Sequence, residues 1–100
     1  MFLYNVTIGI DKEIEQEWVA WMKTEHIPDV LNTGLFLNYK MYKVLHDNDD
    51  GSISYSVQYF AETLENVVQY LEKFAPALIE KHKQKYGGRH VAFRTLLEEI

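Results

Sequence analysis

The apolar positions of this chain change period several times, and each change marks a predicted element. From Phe2 to Ile10, Tyr4, Val6, Ile8 and Ile10 alternate with Leu3, Asn5, Thr7 and Gly9, the period of two of a half-buried strand. Asp11 follows as a predicted N-cap, and Ile14, Trp18, Trp21 and Met22 then recur at helical spacing. At about 100° per residue, Ile27, Val30 and Leu31 fall roughly half a turn away from that stripe. Pro28 sits at the discontinuity, lacks a backbone donor and disfavours helix at Ile27. A first helix is therefore expected to end near His26, with a short second piece opening at Pro28.

The second half repeats the scheme. Phe36 to Leu45 and Ser52 to Phe60 read as a hairpin whose tip runs from Asp47 to Gly51. Leu64, Val67, Val68, Leu71, Phe74, Ala75, Leu78, Ile79 and His82 then hold one helical face straight through Pro76. That predicts a kink at Pro76 without a change of face. Gly87 is expected to cap this helix behind Lys81, Lys83 and Lys85, and a last strand follows around Val91 to Leu97. The order βαββαβ on 100 residues predicts one α+β domain over 1–100, a ferredoxin-like sandwich. Its four-stranded antiparallel sheet would carry the helices on one face.

Alternation divides the sheet into two faces. Ile53, Tyr55, Val57 and Tyr59 belong under the helices, and Ser54, Ser56 and Gln58 opposite them. If Val91 and Phe93 also face the helices, Arg94 joins Asn5, Thr7 and Gln58 on the open face. That mixed face also holds Leu3, Tyr42, Phe60 and Leu96, too apolar to stand in water, so a homodimer through it is expected. The 14% aromatic content points the same way, since one small sheet does not readily hide so many rings.

Charge and composition narrow the partners. A net charge of −5 argues against nucleic acid, whose phosphates need a basic face. The absence of cysteine excludes a disulfide scaffold and a thiolate nucleophile, and fits a reducing compartment. Neither a secretory signal nor a bilayer-length apolar run is seen, so a cytoplasmic protein without membrane contact is expected.

Four clusters invite a chemical reading. His26, at the expected helix break in Trp21-Met22-Lys23-Thr24-Glu25-His26-Ile27-Pro28, is a candidate general acid/base; the plainer reading is that it caps the carbonyls of the ending helix. The turn from Asp47 to Gly51 lacks the bidentate Glu of a calcium loop and reads as a hairpin tip. The basic run from Lys81 to His90 has neither P-loop nor Rossmann spacing and reads as helix-end charge complementarity. His26, His82 and His90 lack the spacing of a helical metal face, so no metal and no cofactor are expected, and His82 reads as a partly buried helix residue.

Taken together, Trp18-x-x-Trp21-Met22-Lys23-x-Glu25-His26-Ile27-Pro28, Tyr55 to Phe60, Phe74 to Leu78 and Gly88 to Leu97 resemble a family of roughly 100-residue bacterial proteins that is a domain of unknown function. The resemblance covers almost the whole chain and implies a dimeric α+β barrel, in which two ferredoxin-like sheets face each other. It implies no activity. Trp21 through Pro28 also resembles the Trp…His-x-Pro segment of EthD-type barrel proteins, some of them small oxygenases or isomerases. The leading expectation is a homodimer that binds a small ligand or has no catalytic role. The alternative is a cofactor-independent enzyme with His26 as acid/base. Ligand contacts are expected from Arg94, Tyr59 and Gln58, with Arg94 or Tyr59 steadying an anionic intermediate. A regulatory protein-binding module is the remaining reading.

Overall fold

The computed structural model describes residues 1–46 and 48–100, so Asp47 of the hairpin tip lies outside the described residues. Strands β1 (Phe2–Ile10), β2 (Asn38–Lys43), β3 (Ile53–Ala61) and β4 (His90–Glu98) form one antiparallel sheet in the order β2-β3-β1-β4. Helices α1 (Glu15–Trp21), α2 (Ile27–Leu31), α3 (Leu64–Lys73) and α4 (Ala75–Tyr86) fill the two crossovers, giving the expected ferredoxin-like sandwich. Tyr4, Val6, Ile8 and Ile10 of β1 and Ile53, Tyr55, Val57, Tyr59 and Ala61 of β3 are buried against Trp18, Met22, Ile27, Val30, Val67 and Tyr70. Eight of the fourteen aromatic rings lie in this core, so aromatic content is no evidence for a partner here. Tyr4, Phe36, Tyr59 and Tyr70 alone form a connected ring cluster with centroids 5.1 to 6.2 Å apart.

The prolines behave opposite to expectation. No break occurs at Pro28: Met22–His26 form a π-helical turn, and His26 and Ile27 keep right-handed helical dihedrals. The Ile27 N–H donates to the Met22 carbonyl five residues back, which inserts one residue into the helical count. The insertion rotates Ile27 and Val30 by about a quarter turn, back over Met22. Both are buried as a result. The phase jump in the sequence is therefore real, but it records a wider turn and not an end.

The second region is the one that breaks. Phe74 (φ −119°, ψ −37°) separates α3 from α4, and Pro76 occupies the first turn of the new helix, where no donor is missed. Val67 and Tyr70 of α3, then Ala75, His82 and Tyr86 of α4, form the buried face, while Leu64, Val68 and Phe74 are exposed. Thr63 caps α3, its hydroxyl oxygen accepting from the Asn66 N–H at 3.1 Å. Gly87 ends α4 in an extended conformation, and a Cβ there would run into the Lys83 carbonyl oxygen. The left-handed turn belongs to Gly88, at φ +82°.

The orientation of β4 also differs from expectation. His90, Ala92, Arg94 and Leu96 pair with Ile10, Ile8, Val6 and Tyr4, so Arg94 and Leu96 lie on the helix side. Val91, Phe93 and Leu97 turn to the open face and are 60%, 67% and 47% exposed. Both parities of β4 carry apolar residues, and the bulkier set does not mark the core because the helices leave this edge strand largely uncovered. Among the described residues, no helix is long and apolar enough to cross a membrane.

Candidate functional site

The flipped β4 brings together residues that the sequence had distributed over both faces. A cavity of about 40 Å³ lies between the sheet and the helices. Tyr4, Ala92 and Arg94 line its sheet side with Tyr59; Tyr70, His82 and His26 line its helix side, and His90 at the start of β4 lines it too. Three of the four expected site residues therefore converge: His26, Tyr59 and Arg94. Gln58 does not. It pairs with Asn5 on the open face and donates to the Ser56 hydroxyl at 3.4 Å, in a row continued by Ser56 to Asn5 (2.7 Å) and Asn5 to Thr7 (3.1 Å).

Each histidine is delivered by a different local device. The π turn positions His26, whose ring stacks on Trp21 with centroids 5.4 Å apart. Its Nδ1 is buried and has no hydrogen-bond partner, so His26 does not cap the helix. Burial pushes its pKa down to about 4, against the opposing pull of Asp29. His82 follows from the apolar phase of α4, as expected, and is 6% exposed. Trp18 Nε1–H donates to its Nε2 at 3.0 Å, which leaves the proton of neutral His82 on Nδ1. Burial, reinforced by His90 and His26, pushes its pKa down to about 3. His90 lies beyond Gly88, its ring 4.5 Å from that of His82. Its Nδ1 stands 3.1 Å from the Tyr86 carbonyl, and since a carbonyl only accepts, that nitrogen carries a proton.

Arg94 lies at the cavity rim beside Tyr4. Burial raises the Tyr4 hydroxyl above its ordinary pKa, and the Arg94 guanidinium offsets part of that rise through charge and hydrogen bonding. Burial holds Tyr59 and Tyr70 well above the ordinary tyrosine value, so both stay neutral. The site thus offers two neutral imidazoles, His26 and His82, with neutral phenols and the Arg94 guanidinium, a set suited to binding and to moving a single proton. Among the described residues, no group of three or more His, Asp or Glu side chains is arranged to hold a metal ion. Two imidazole nitrogens are already engaged, by Trp18 and by Tyr86.

The basic run resolves into separate parts. Arg89 pairs with Asp11 at 2.9 Å and Glu13 at 3.2 Å, and Lys81 pairs with Asp29 at 3.0 Å. Asp11 thus serves Arg89 and makes no side-chain cap. At the hairpin tip, Asp50 accepts from the Ser52 N–H and hydroxyl, and Gly51 takes φ +82°. Tyr4, Tyr70 and the Trp18–His82 bond were missed as parts of the site. The signal for the last was present, since a histidine on an apolar stripe needs a polar partner.

Comparison with known proteins agrees with this architecture. The model of a domain of unknown function (DUF4286) matches residues 1–100. The chain belongs to that family. None of the curated proteins matches it. Among solved structures, it is similar to an EthD family protein from Bacillus halodurans, at TM-score 0.67 and 14% identity over 100% of both chains. A dimeric ferredoxin-like protein from an uncultured marine organism gives TM-score 0.66 and 14% identity, covering 100% of this chain and 95% of that one. A variant of SnoaB, a cofactor-independent oxygenase from Streptomyces nogalater, gives 0.61 and 9% over 98% of this chain and 92% of that one. At these identities the likeness shows the fold alone.

Proposed function

We propose that this protein is a homodimer joined through the open face of the sheet, and that each subunit binds a small ligand in the cavity under its helices. The carrying observation is the buried, partnerless Nδ1 of His26 in a cavity that Arg94 and Tyr59 also line. A buried polar atom without a partner costs free energy that a ligand would recover. The dimer reading is supported by Val91, Phe93, Leu97 and Tyr42, which are exposed on one face around the hydrogen-bonded polar row. The marine ferredoxin-like protein of similar fold is itself dimeric. Sedimentation equilibrium is expected to give a dimer at micromolar concentration, and Phe93→Asp to give a folded monomer. A wild-type monomer would reject the dimer. Thermal-shift screening of small metabolites is expected to find ligands whose effect His26→Gln weakens.

A second reading, proton transfer by His26, has its own support. An imidazole desolvated to a pKa of about 4 is neutral at physiological pH and has an unoccupied ring nitrogen, as a general base requires. Arg94, on the same side of the sheet, would face an anion formed by that proton transfer. SnoaB, whose fold is similar, is a cofactor-independent oxygenase. Solvent deuterium exchange into a bound carbon acid, lost in His26→Gln, is the expected sign; exchange that survives the substitution would exclude His26 as the base.

A further inference from the structure

Building on the pocket reading, we propose that the ligand is a short monocarboxylate, its carboxylate against Arg94 and its organic part against the tyrosines. The chain has only two arginines, and they stand in opposite situations. Arg89 is held by two carboxylates, whereas among the described residues Arg94 has no carboxylate partner, and its charge acts on Tyr4, Tyr70, His26 and His82. Although acids outnumber bases fifteen to ten, no Asp or Glu among the described residues lines the cavity. Asp29, whose charge acts on His26, is paired with Lys81. A guanidinium presents a planar fork that fits a carboxylate through two parallel hydrogen bonds. The proton fixed on His82 Nδ1 adds a donor on a ring that lines the same space.

Size and lining select within the anions. A cavity of about 40 Å³ holds about three water molecules, hence roughly four heavy atoms. Its remaining walls are Tyr59, Tyr70, Val6, Ile8 and Ile79, which suit an alkyl or flat carbon skeleton. Phosphate, a compact sphere of acceptors, would need more donors than one guanidinium and would leave these walls unused.

The test is a titration of the whole protein followed by the ring resonances of His26 and His82. Propionate, its neutral isostere propionamide and inorganic phosphate are compared at millimolar concentrations. Propionate is expected to shift both rings saturably, and propionamide to bind at least about tenfold more weakly. Arg94→Met should abolish that preference while leaving the fold intact by circular dichroism, and Arg94→Lys should keep part of it. Equal binding of propionamide, or tighter binding of phosphate, would overturn the carboxylate and leave the pocket reading standing. If none of the three moves either ring, both readings fall.

Discussion

The helical regions at 15–31 and 64–86 each carry one interior proline, and they accommodate it differently. In the first, the helical path continues through a π turn that adds a residue and swings Ile27 and Val30 into the core. In the second, the path stops at Phe74 and restarts, with Pro76 in a first turn. What separates them is the apolar phase on either side of the proline. Where the phase jumps, a wide turn corrects it while keeping the helix. Where the phase is already continuous, no inserted residue is needed, and the chain tolerates a one-residue break. Each solution delivers one histidine to the same cavity: the π turn His26, the restarted helix His82. π turns inside α-helices recur at functional sites.

Deleting the exposed Thr24 breaks the comparison most directly, because it removes the added residue. Ile27 and Val30, 1% and 0% exposed, would rotate out of the core. Losing two such side chains costs ~3–6 kcal/mol, so thermal melts should show Tm lower by at least about 12 °C or no cooperative transition. A deletion variant as stable as the parent would show that the turn does not set the phase.

Both regions should contribute to acid sensitivity. The folded-state values of about 4 for His26 and about 3 for His82 lie below the ordinary histidine value of ~6.5. The unfolded chain therefore binds more protons across this interval, and stability rises with pH through it. The contribution is complete above pH ~6.5 and is lost as pH falls through the folded values, at up to ~1.4 kcal/mol per pH unit for each histidine. Denaturant midpoints measured from pH ~7 to ~4.5 should fall, and His26→Gln and His82→Gln should each flatten the curve. Unchanged slopes in both variants would mean that neither imidazole is held neutral by burial.

How much of this was legible depends on what alternation and phase can report. Strand positions, the ferredoxin-like order and the burial of His82 all follow from period, and period is carried by the residues themselves. The side that β4 presents to the helices does not follow, because Val91, Phe93 and Leu97 compete with Ala92 and Leu96 for the core. Only pairing with β1 decides, and it moves Arg94 into the site and leaves Gln58 outside. The phase jump before Ile27 was equally visible, but a helix end and an inserted residue leave the same trace in sequence. Pro28 tipped that choice toward an end that the backbone does not make.

A smaller effect is expected at the bond between the two regions, Trp18 Nε1–H to His82 Nε2. His82→Phe leaves a buried indole donor unsatisfied and should cost ~1–3 kcal/mol. His82→Gln keeps an acceptor and should recover most of that loss at neutral pH. Equal losses in the two variants would assign the cost to packing and not to the hydrogen bond.

The smallest effects should come from the prolines themselves. Pro76 sits in the first turn of α4, where the missing N–H is not needed, and Pro28 stands directly after the π turn, where the regular spacing of α2 begins. Replacing either by alanine mainly enlarges the conformational freedom of the unfolded chain, at ~0.4–1 kcal/mol. If apolar phase makes the π turn, Pro28→Ala and Pro76→Ala should lower Tm by similar, small amounts. Amide exchange should still show the Ile27 N–H protected in the Pro28 variant, because its bond to Met22 is fixed by the packing of Ile27 and Val30. The alternative is that proline sterics at Thr24 and Ile27 create the turn. In that case Pro28→Ala would shift the helix to regular spacing, expel Ile27 from the core and cost several times more than Pro76→Ala. A markedly unequal pair would thus reverse the assignment, making proline the cause of the wide turn and phase its consequence.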